Sequence, residues 1–405
     1  YDPQKDQKAV HRIWREVGWL EKGQEKVMDT FLETCDAWVV ELDGEAEFLV
    51  NTTSGNIRYL EKDLPFSGVT GVTTSRIARK QGFALKYTAV AVAKDAEKGT
   101  YLSGLGIFEQ GFYNKLGYGS GGYDHIIYFD PADLKLKTKF RVPKRLTEKD
   151  YKVIHKSRLN RMKPHGTVTF FNYQVTKAEM KWIKNGFGLG YFDGPKGGLT
   201  HHFWCSNRTG GELGPYFIDW MTYQNYDQFL ELMTVIKSLG DQVRLIGMIE
   251  PAGIQLQDLL KYPFRYRIST EKSKFESKMK ASSWWQMRIC NLEGCLKNTH
   301  LDGEQVRFNL ELSDPIEQFL NKNSKWRGIG GDYIITLGMN SSAIKGHEKK
   351  LPTLKTSVGP FTRMWLGIRP ATGLSVTEDF KATEELLAKL DKIMRIPDPK
   401  PDWCY

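Results

Sequence analysis

RKQGFA, residues 79–84, stands between a Gly- and Thr-rich strand, SGVTGVTT (67–74), and a helix expected from about residue 83 to 98, with Gly99 as its C-terminal stop. The stretch has the form R-x-x-G-x-A. The first N–H groups of a helix have no partner inside it and point past its N-terminus, where the helix dipole also favours negative charge. A start of this kind is an anion site. Gly82 lets the backbone come close and Ala84 keeps the next turn clear. Arg79, Lys80 and the preceding Arg76 add the charge that a pyrophosphate needs. The competing reading is a basic helix start with an incidental glycine.

Two strands precede this unit, AWVVEL (37–42) and EFLVN (47–51). After the helix come a strand (101–107), a short helix (about 111–116) and the strand DHIIYFD (124–130). The short helix lies in GFYNKLGYG (111–119). Tyr113 at its head is placed to donate a proton to a leaving group, unless it is only an amphipathic ring packed under a turn.

The chain has 405 residues, enough for two or three domains, and a globular composition with 40% hydrophobic and 26% charged residues. No apolar run approaches the roughly 18 residues of a membrane span, so no membrane partner is expected. Five cysteines, an odd and sparse count, suit a reducing compartment; with no recognisable leader this points to the cytoplasm. Cys290 and Cys295 lack C-x-x-C spacing and read as packing residues. His201 and His202 are adjacent, so on a strand they face opposite ways, and no metal is assigned. The net charge is +10. Its densest stretch, KLKTKFRVPKRLTEKDYK (135–152), has no interleaved aromatic stripe and reads as solvated surface rather than a nucleic-acid face.

An internal echo organises the rest. KDQKAVHR (5–12) returns as KDYKVIHK (149–156), 144 residues on, each copy opening a helix. Val10, Ile13, Trp14 and Val17 give the first helix its apolar stripe; Thr147 and Asp150 form a capping signature for the second. The second segment carries the helix YDQFLELMTVIKSLG (226–240) and the strand QVRLIGMI (242–249). Its GFGLG (186–190) has no clear strand before it and no helix after it, and reads as turn-rich β structure. WMTYQNY (220–226) reads as an interface. STEKSKFESKMKASS (269–283) reads as a linker or exposed helix. A third segment opens with WWQMRIC (284–290) and ends in the helix KATEELLAKLDKIM (381–394) and an arm stiffened by Pro397, Pro399 and Pro401.

The loop, the strand before it and Tyr113 together resemble the GNAT acyltransferases. LPFSGVTGVTT (64–74), FYNKLGYG (112–119) and LPTLKTSVGPFTRMWLGIRPATGLS (351–375) narrow the resemblance to the enhanced intracellular survival (Eis) acetyltransferases. That family implies an α/β (α+β) fold of tandem GNAT domains, each a mixed twisted sheet flanked by helices, followed by a sterol-carrier-like domain. The divisions are a catalytic domain at 1–145, a degenerate one at 146–275, and a third at 276–405. It implies an acetyl-CoA-dependent N-acetyltransferase acting on primary amines of a small cationic substrate, aminoglycoside-like. Arg79, Lys80, Gln81, Gly82, Phe83 and Ala84 would hold the pyrophosphate. Val72, Thr73 and Thr74 would hold the pantetheine arm, and Tyr113 would protonate the thiolate. The C-terminal carboxylate of Tyr405 would contact the substrate amine as anchor, as base through a water, or as a mere cap; a free α-carboxyl titrates near ~3.5, low for a base. Trp14, Trp19 and Asp402 are candidate pocket walls. The family also implies a homo-oligomer, a hexamer built as a trimer of dimers. The rival readings are a protein lysine or N-terminal acetyltransferase, and a ligand- or lipid-carrying protein with a vestigial GNAT fold.

Overall fold

A computed structural model describes residues 1–207 and 210–403. They fall into two units. One gathers Tyr1–Gly122, Pro164–Thr169 and the chain from Ser283 onward; the other holds Tyr123–Lys163 and Phe170–Ser282.

The first unit starts with α1 (Pro3–Glu16). Asp2 caps it by accepting from Gln4 N–H at 2.9 Å, and Pro3 occupies its first turn. Val10, Ile13 and Trp14 are buried, as their helical spacing requires. After α2 (Glu25–Leu32) come β1 (Asp36–Leu42), β2 (Glu45–Tyr59) and β3 (Lys62–Thr74), paired antiparallel in sequence. α3 (Phe83–Glu97) then crosses to β4 (Leu102–Gly106), which lies parallel to β3. Such a crossover needs a helix between its strands. The expected short helix is a single 3-10 turn, Tyr113–Leu116, followed by β5 (Gly119–Ser120).

The second unit opens with β6 (Asp124–Phe129), then β7 (Lys144–Leu146) and α4 (Tyr151–Leu159), entered through a capping box between Thr147 and Asp150. β8 (Val168–Phe170) begins in residues that belong to the first unit, where it pairs with β2. There follow α5 (Tyr173–Trp182), β9 (Gly186–Tyr191), β10 (His201–Ser206), β11 (Tyr216–Thr222), α6 (Tyr226–Ser238), β12 (Ile246–Ile249), α7 (Pro263–Ser269) and β13 (Lys278–Ser282). The sheet order is β13-β6-β12-β11-β10-β9-β7. GFGLG is β9, and it forms a hairpin with β10 through Tyr191 opposite His201. The polar run from 269 is neither linker nor helix at its end. Its last residues are β13, an edge strand whose exposed Lys280 and Ser282 reach water. Trp220 stacks on Trp204 inside this unit's core rather than standing on an open face.

On returning to the first unit, β14 (Trp285–Ile289) inserts between β4 and β5, giving the order β1-β2-β3-β4-β14-β5. After α8 (Leu292–Lys297), a five-stranded sheet forms from β15 (Val306–Ser313), β16 (Gly331–Leu337), β17 (Ser342–Lys345), β18 (Thr353–Ser357) and β19 (Phe380–Lys381). With it run α9 (Val358–Trp365), α10 (Ala371–Thr377) and α11 (Glu384–Ile393), the last capped by Thr383. The proline arm is tied to this unit: Lys400 N–H donates to His165 C=O at 2.9 Å, and Trp403 is buried. Among the described residues no helix is long and apolar enough to cross a membrane.

Candidate active site

β3 is built to part from its neighbour. Its parallel pairing with β4 runs only from Phe66 opposite Leu102 to Val69 opposite Leu105. On the other side it stays paired with β2 to Thr74. So over residues 70–74 the edge of β3 that faced β4 has no strand beside it among the described residues. The parting coincides with a bulge: Leu49 pairs with Thr73, but Asn51 pairs with Thr70, which puts an extra residue into β3. Gly71 makes the bulge possible. Its φ is +62°, and a Cβ there would come within 2.4 Å of Asn51 Nδ2 and 3.1 Å of Trp14 Cζ2. Val72 packs with the α3 side of the core, while the buried Thr73 hydroxyl donates to Gly71 C=O at 3.2 Å.

The open edge leads to the N-terminus of α3. Lys80 (φ +61°) and the cap Gly82 (φ +79°) are both left-handed, which bends the chain sharply into the helix. A Cβ on Gly82 would meet no atom, so the glycine is needed for its dihedral rather than for close packing within the chain. The first helical bond runs from Lys86 N–H to Gly82 C=O, leaving the N–H groups of Phe83, Ala84 and Leu85 without a carbonyl in the helix. No side chain caps this end and its first turn holds no acid. Arg79, Lys80 and Gln81 are exposed, and Gln81 donates to Ile77 C=O at 3.2 Å. Among the described residues, Arg76, Arg79, Lys80 and Lys86 enter no ion pair. The result is a positive end; Glu16, which accepts from Arg76 N–H at 2.7 Å where the loop begins, is shared with Arg12.

The second unit repeats the arrangement without the open helix end. β11 pairs parallel with β12 only from Tyr216 to Ile218 and then runs on to Thr222, and α6 connects the two. There, however, Asn225 caps the helix by accepting from Gln228 N–H at 3.0 Å, and Asp227 occupies the first turn. An anion would meet a satisfied donor and a carboxylate.

Tyr113 starts its 3-10 turn with its ring in the same core cluster as Val69 and Leu105, the last pair before the strands part. Burial alone pushes its phenol up to about 12. Tyr118, five residues on, is fully buried and shares a hydrogen bond with Ser103 Oγ at 2.7 Å. On the opposite face, Trp14 lies against the bulge. Exposed Trp19 meets it edge-on at 5.7 Å and Phe31 of α2 lies 5.8 Å away. Asp402 is exposed, and Tyr405 lies outside the described residues.

Among the described residues one cluster has metal-ligand chemistry: Asp193, His201 and Glu231. Arg141 grips both carboxylates, with 2.6 Å to Asp193 and 2.7 Å to Glu231, so the cluster already holds its cation. His201 adds a 2.7 Å contact to Glu231, while His202, on the other face, accepts from Trp220 Nε1 at 3.4 Å. Reading the sequence alone missed the Gly71 bulge, although an isolated glycine within a strand is its usual sign. It also missed the support that β14 gives the Tyr113 turn, which no local pattern could reveal.

No family model matches the chain, and no curated protein matches it in sequence. Several solved structures are similar over their whole length. A conserved protein of unknown function from Enterococcus faecalis V583, a probable N-acyltransferase, superposes with a TM-score of 0.78 at 18% identity, covering 100% of this chain and 98% of that one. A GCN5-related N-acetyltransferase from Anabaena variabilis ATCC 29413 gives 0.74 at 14% identity, covering 97% and 95%. Eis1 from Mycobacterium abscessus gives 0.75 at 12% identity, covering 100% and 98%. The chain has the fold of these proteins.

Proposed function

We propose that the chain is an acetyl-CoA-dependent N-acetyltransferase acting on primary amines of a small cationic substrate, aminoglycoside-like in its charge. One observation carries the reading: β3 leaves β4 at the Gly71 bulge, and the open edge leads to an uncapped helix end flanked by unpaired cations. These residues suit a long thioester with a pyrophosphate at one end. When bound, acetyl-CoA supplies an acetyl group already activated as a thioester.

The N–H groups of Phe83, Ala84 and Leu85, with Arg79 and Lys80, hold the pyrophosphate charge, while Gln81 and Gly82 shape the loop. Backbone donors on the open edge of the stretch Val72, Thr73 and Thr74 hold the pantetheine arm and the carbonyl oxygen as it gains charge; Thr73, like Ser75, turns its own N–H toward β2, which leaves Val72 and Thr74 for the ligand. Tyr113 keeps its proton at neutral pH and gives it to the departing thiolate. Exposed Trp19, packed edge-on against the buried Trp14, offers an aromatic surface to a cationic amine beside the bulge. Asp402 and Tyr405 belong to the amine side of this proposal. The capped α6 supports a single acetyl-CoA site per chain. A degenerate second GNAT domain, a sterol-carrier-like third, a hexameric assembly and a cytoplasmic location complete the proposal.

The test is calorimetric binding of acetyl-CoA, followed by thiol release with spermidine, an aminoglycoside and a lysine-containing peptide. Binding with turnover of the small amines is expected. Turnover of the peptide alone would move the assignment to a protein acetyltransferase, and absence of binding would end it.

A further inference from the structure

β14 is apolar and buried along its whole length, yet it carries Gln286 and Arg288, neither of them exposed at all. Two residues apart on a strand, they point the same way. Both reach the turn that bears Tyr113. Gln286 Nε2 donates to Asn114 Oδ1 at 3.0 Å and to Ser120 Oγ at 3.3 Å. Asn114 follows Tyr113, and its Oδ1 also accepts from Gly111 N–H at 3.1 Å. Arg288 Nη1 donates to the C=O of Leu116, the last residue of the turn.

Arg288 is itself anchored. Its Nη2 lies 2.7 Å from Asp314 Oδ2 and its Nη1 3.2 Å from Oδ1, with both side chains fully buried. Asp314 in turn accepts from Ile329 N–H at 2.8 Å and Ile316 N–H at 3.3 Å. Gly117 (φ +78°) closes the turn onto this pair; a Cβ there would come within 3.1 Å of Arg288 Nη1 and 3.3 Å of Asp314 Oδ1. A buried ion pair and a buried amide bring desolvation costs that apolar side chains would avoid. Here each gives a donor to one four-residue turn, and a proton donor displaced by about 1 Å can lose its rate advantage.

We infer that Gln286 and Arg288 are positioning residues that fix the Tyr113 turn at the open edge of β3, so that a strand 172 residues further along the chain sets the geometry of the proton donor. This rests on the acetyltransferase reading. The variant Gln286→Met keeps side-chain length and removes the bond to Asn114. Thiol release from acetyl-CoA with spermidine is followed in native chain, Gln286→Met, Tyr113→Phe and the double variant, with folding checked by circular-dichroism melting.

A tenfold or greater loss of kcat in Gln286→Met is expected, with KM for acetyl-CoA within twofold of native and no further loss when Tyr113→Phe is already present. Asn114→Ala, which cuts the same bond from the half-buried turn, is expected to behave alike and decides the matter if Gln286→Met does not fold. Native kcat, or the same fractional loss with and without the Tyr113 hydroxyl, overturns the inference and leaves the acetyltransferase reading standing. No turnover by the native chain overturns that reading and takes the inference with it.

Discussion

Tyr113 and Tyr118 are five residues apart in one glycine-bounded stretch, and only their surroundings tell them apart. Tyr118 is bound to Ser103, whereas Tyr113 stands where β3 and β4 part. Tyr113→Phe is expected to lower kcat by about 10²- to 10⁴-fold with acetyl-CoA affinity within twofold, measured by steady-state thiol release and calorimetry. Tyr118→Phe removes a neutral buried hydrogen bond and should cost about 1 kcal/mol of stability. Because burial pushes the Tyr113 phenol up to about 12, its proton stays on through neutral and mildly alkaline pH. The rate should therefore climb as the substrate amine loses its proton and fall only near pH 12. Gly71→Ala places a Cβ in a left-handed residue and against Asn51 and Trp14. A loss of about 1–3 kcal/mol is expected from a denaturant melt, together with weaker acetyl-CoA binding. The helix start after the loop and the turn at Tyr113 are legible in the sequence, because each is a local pattern. SGVTGVTT reads as a plain strand, since a bulge is defined by the partner strand's register.

At the scale of elements, α3 and α6 make a natural comparison: each links two parallel strands, and one helix start is open and basic where the other is capped by Asn225 and followed by Asp227. Replacing Arg79 and Lys80 together by Ala should weaken acetyl-CoA binding by roughly 10- to 100-fold, with kcat at saturation close to native. Titrations at rising salt should narrow the difference, since these side chains are exposed. RKQGFA and the helix after it were legible because capping and dipole physics act within a few residues. The placing of three strands was not. DHIIYFD reads as part of the first segment but pairs as β6 in the second unit's sheet. WWQMRIC opens the third segment but pairs with β4 and β5. The polar run before it ends as β13. Periodicity tells a strand from a helix, but strand partners more than a hundred residues apart leave no trace in a local window.

At the scale of the whole molecule, buried neutral histidines tie stability to pH. In the second unit, burial lowers His155 to about 4 and His202 to about 3. In the first, His165 accepts from Leu60 N–H, donates to Leu366 C=O, and is likewise lowered by burial. Below about 6.5 an unfolded chain protonates these rings and the folded one does not, so their contribution, complete above that pH, drains away as pH falls. A lower melting temperature at pH 5 than at pH 7 is expected, and substituting His202 by an uncharged residue should flatten the slope. The internal echo marks two helix starts, α1 and α4, and the structure also carries two similar βαβ arrangements, β3-α3-β4 and β11-α6-β12. The central claim is that one of these pairs moves an acetyl group to an amine. Its most direct test is thiol release from saturating acetyl-CoA with a small primary amine, native chain against Tyr113→Phe. Amine-dependent turnover in the native chain, reduced at least a hundredfold in the variant, is the expected result; no turnover, or equal rates in the two, would contradict the account.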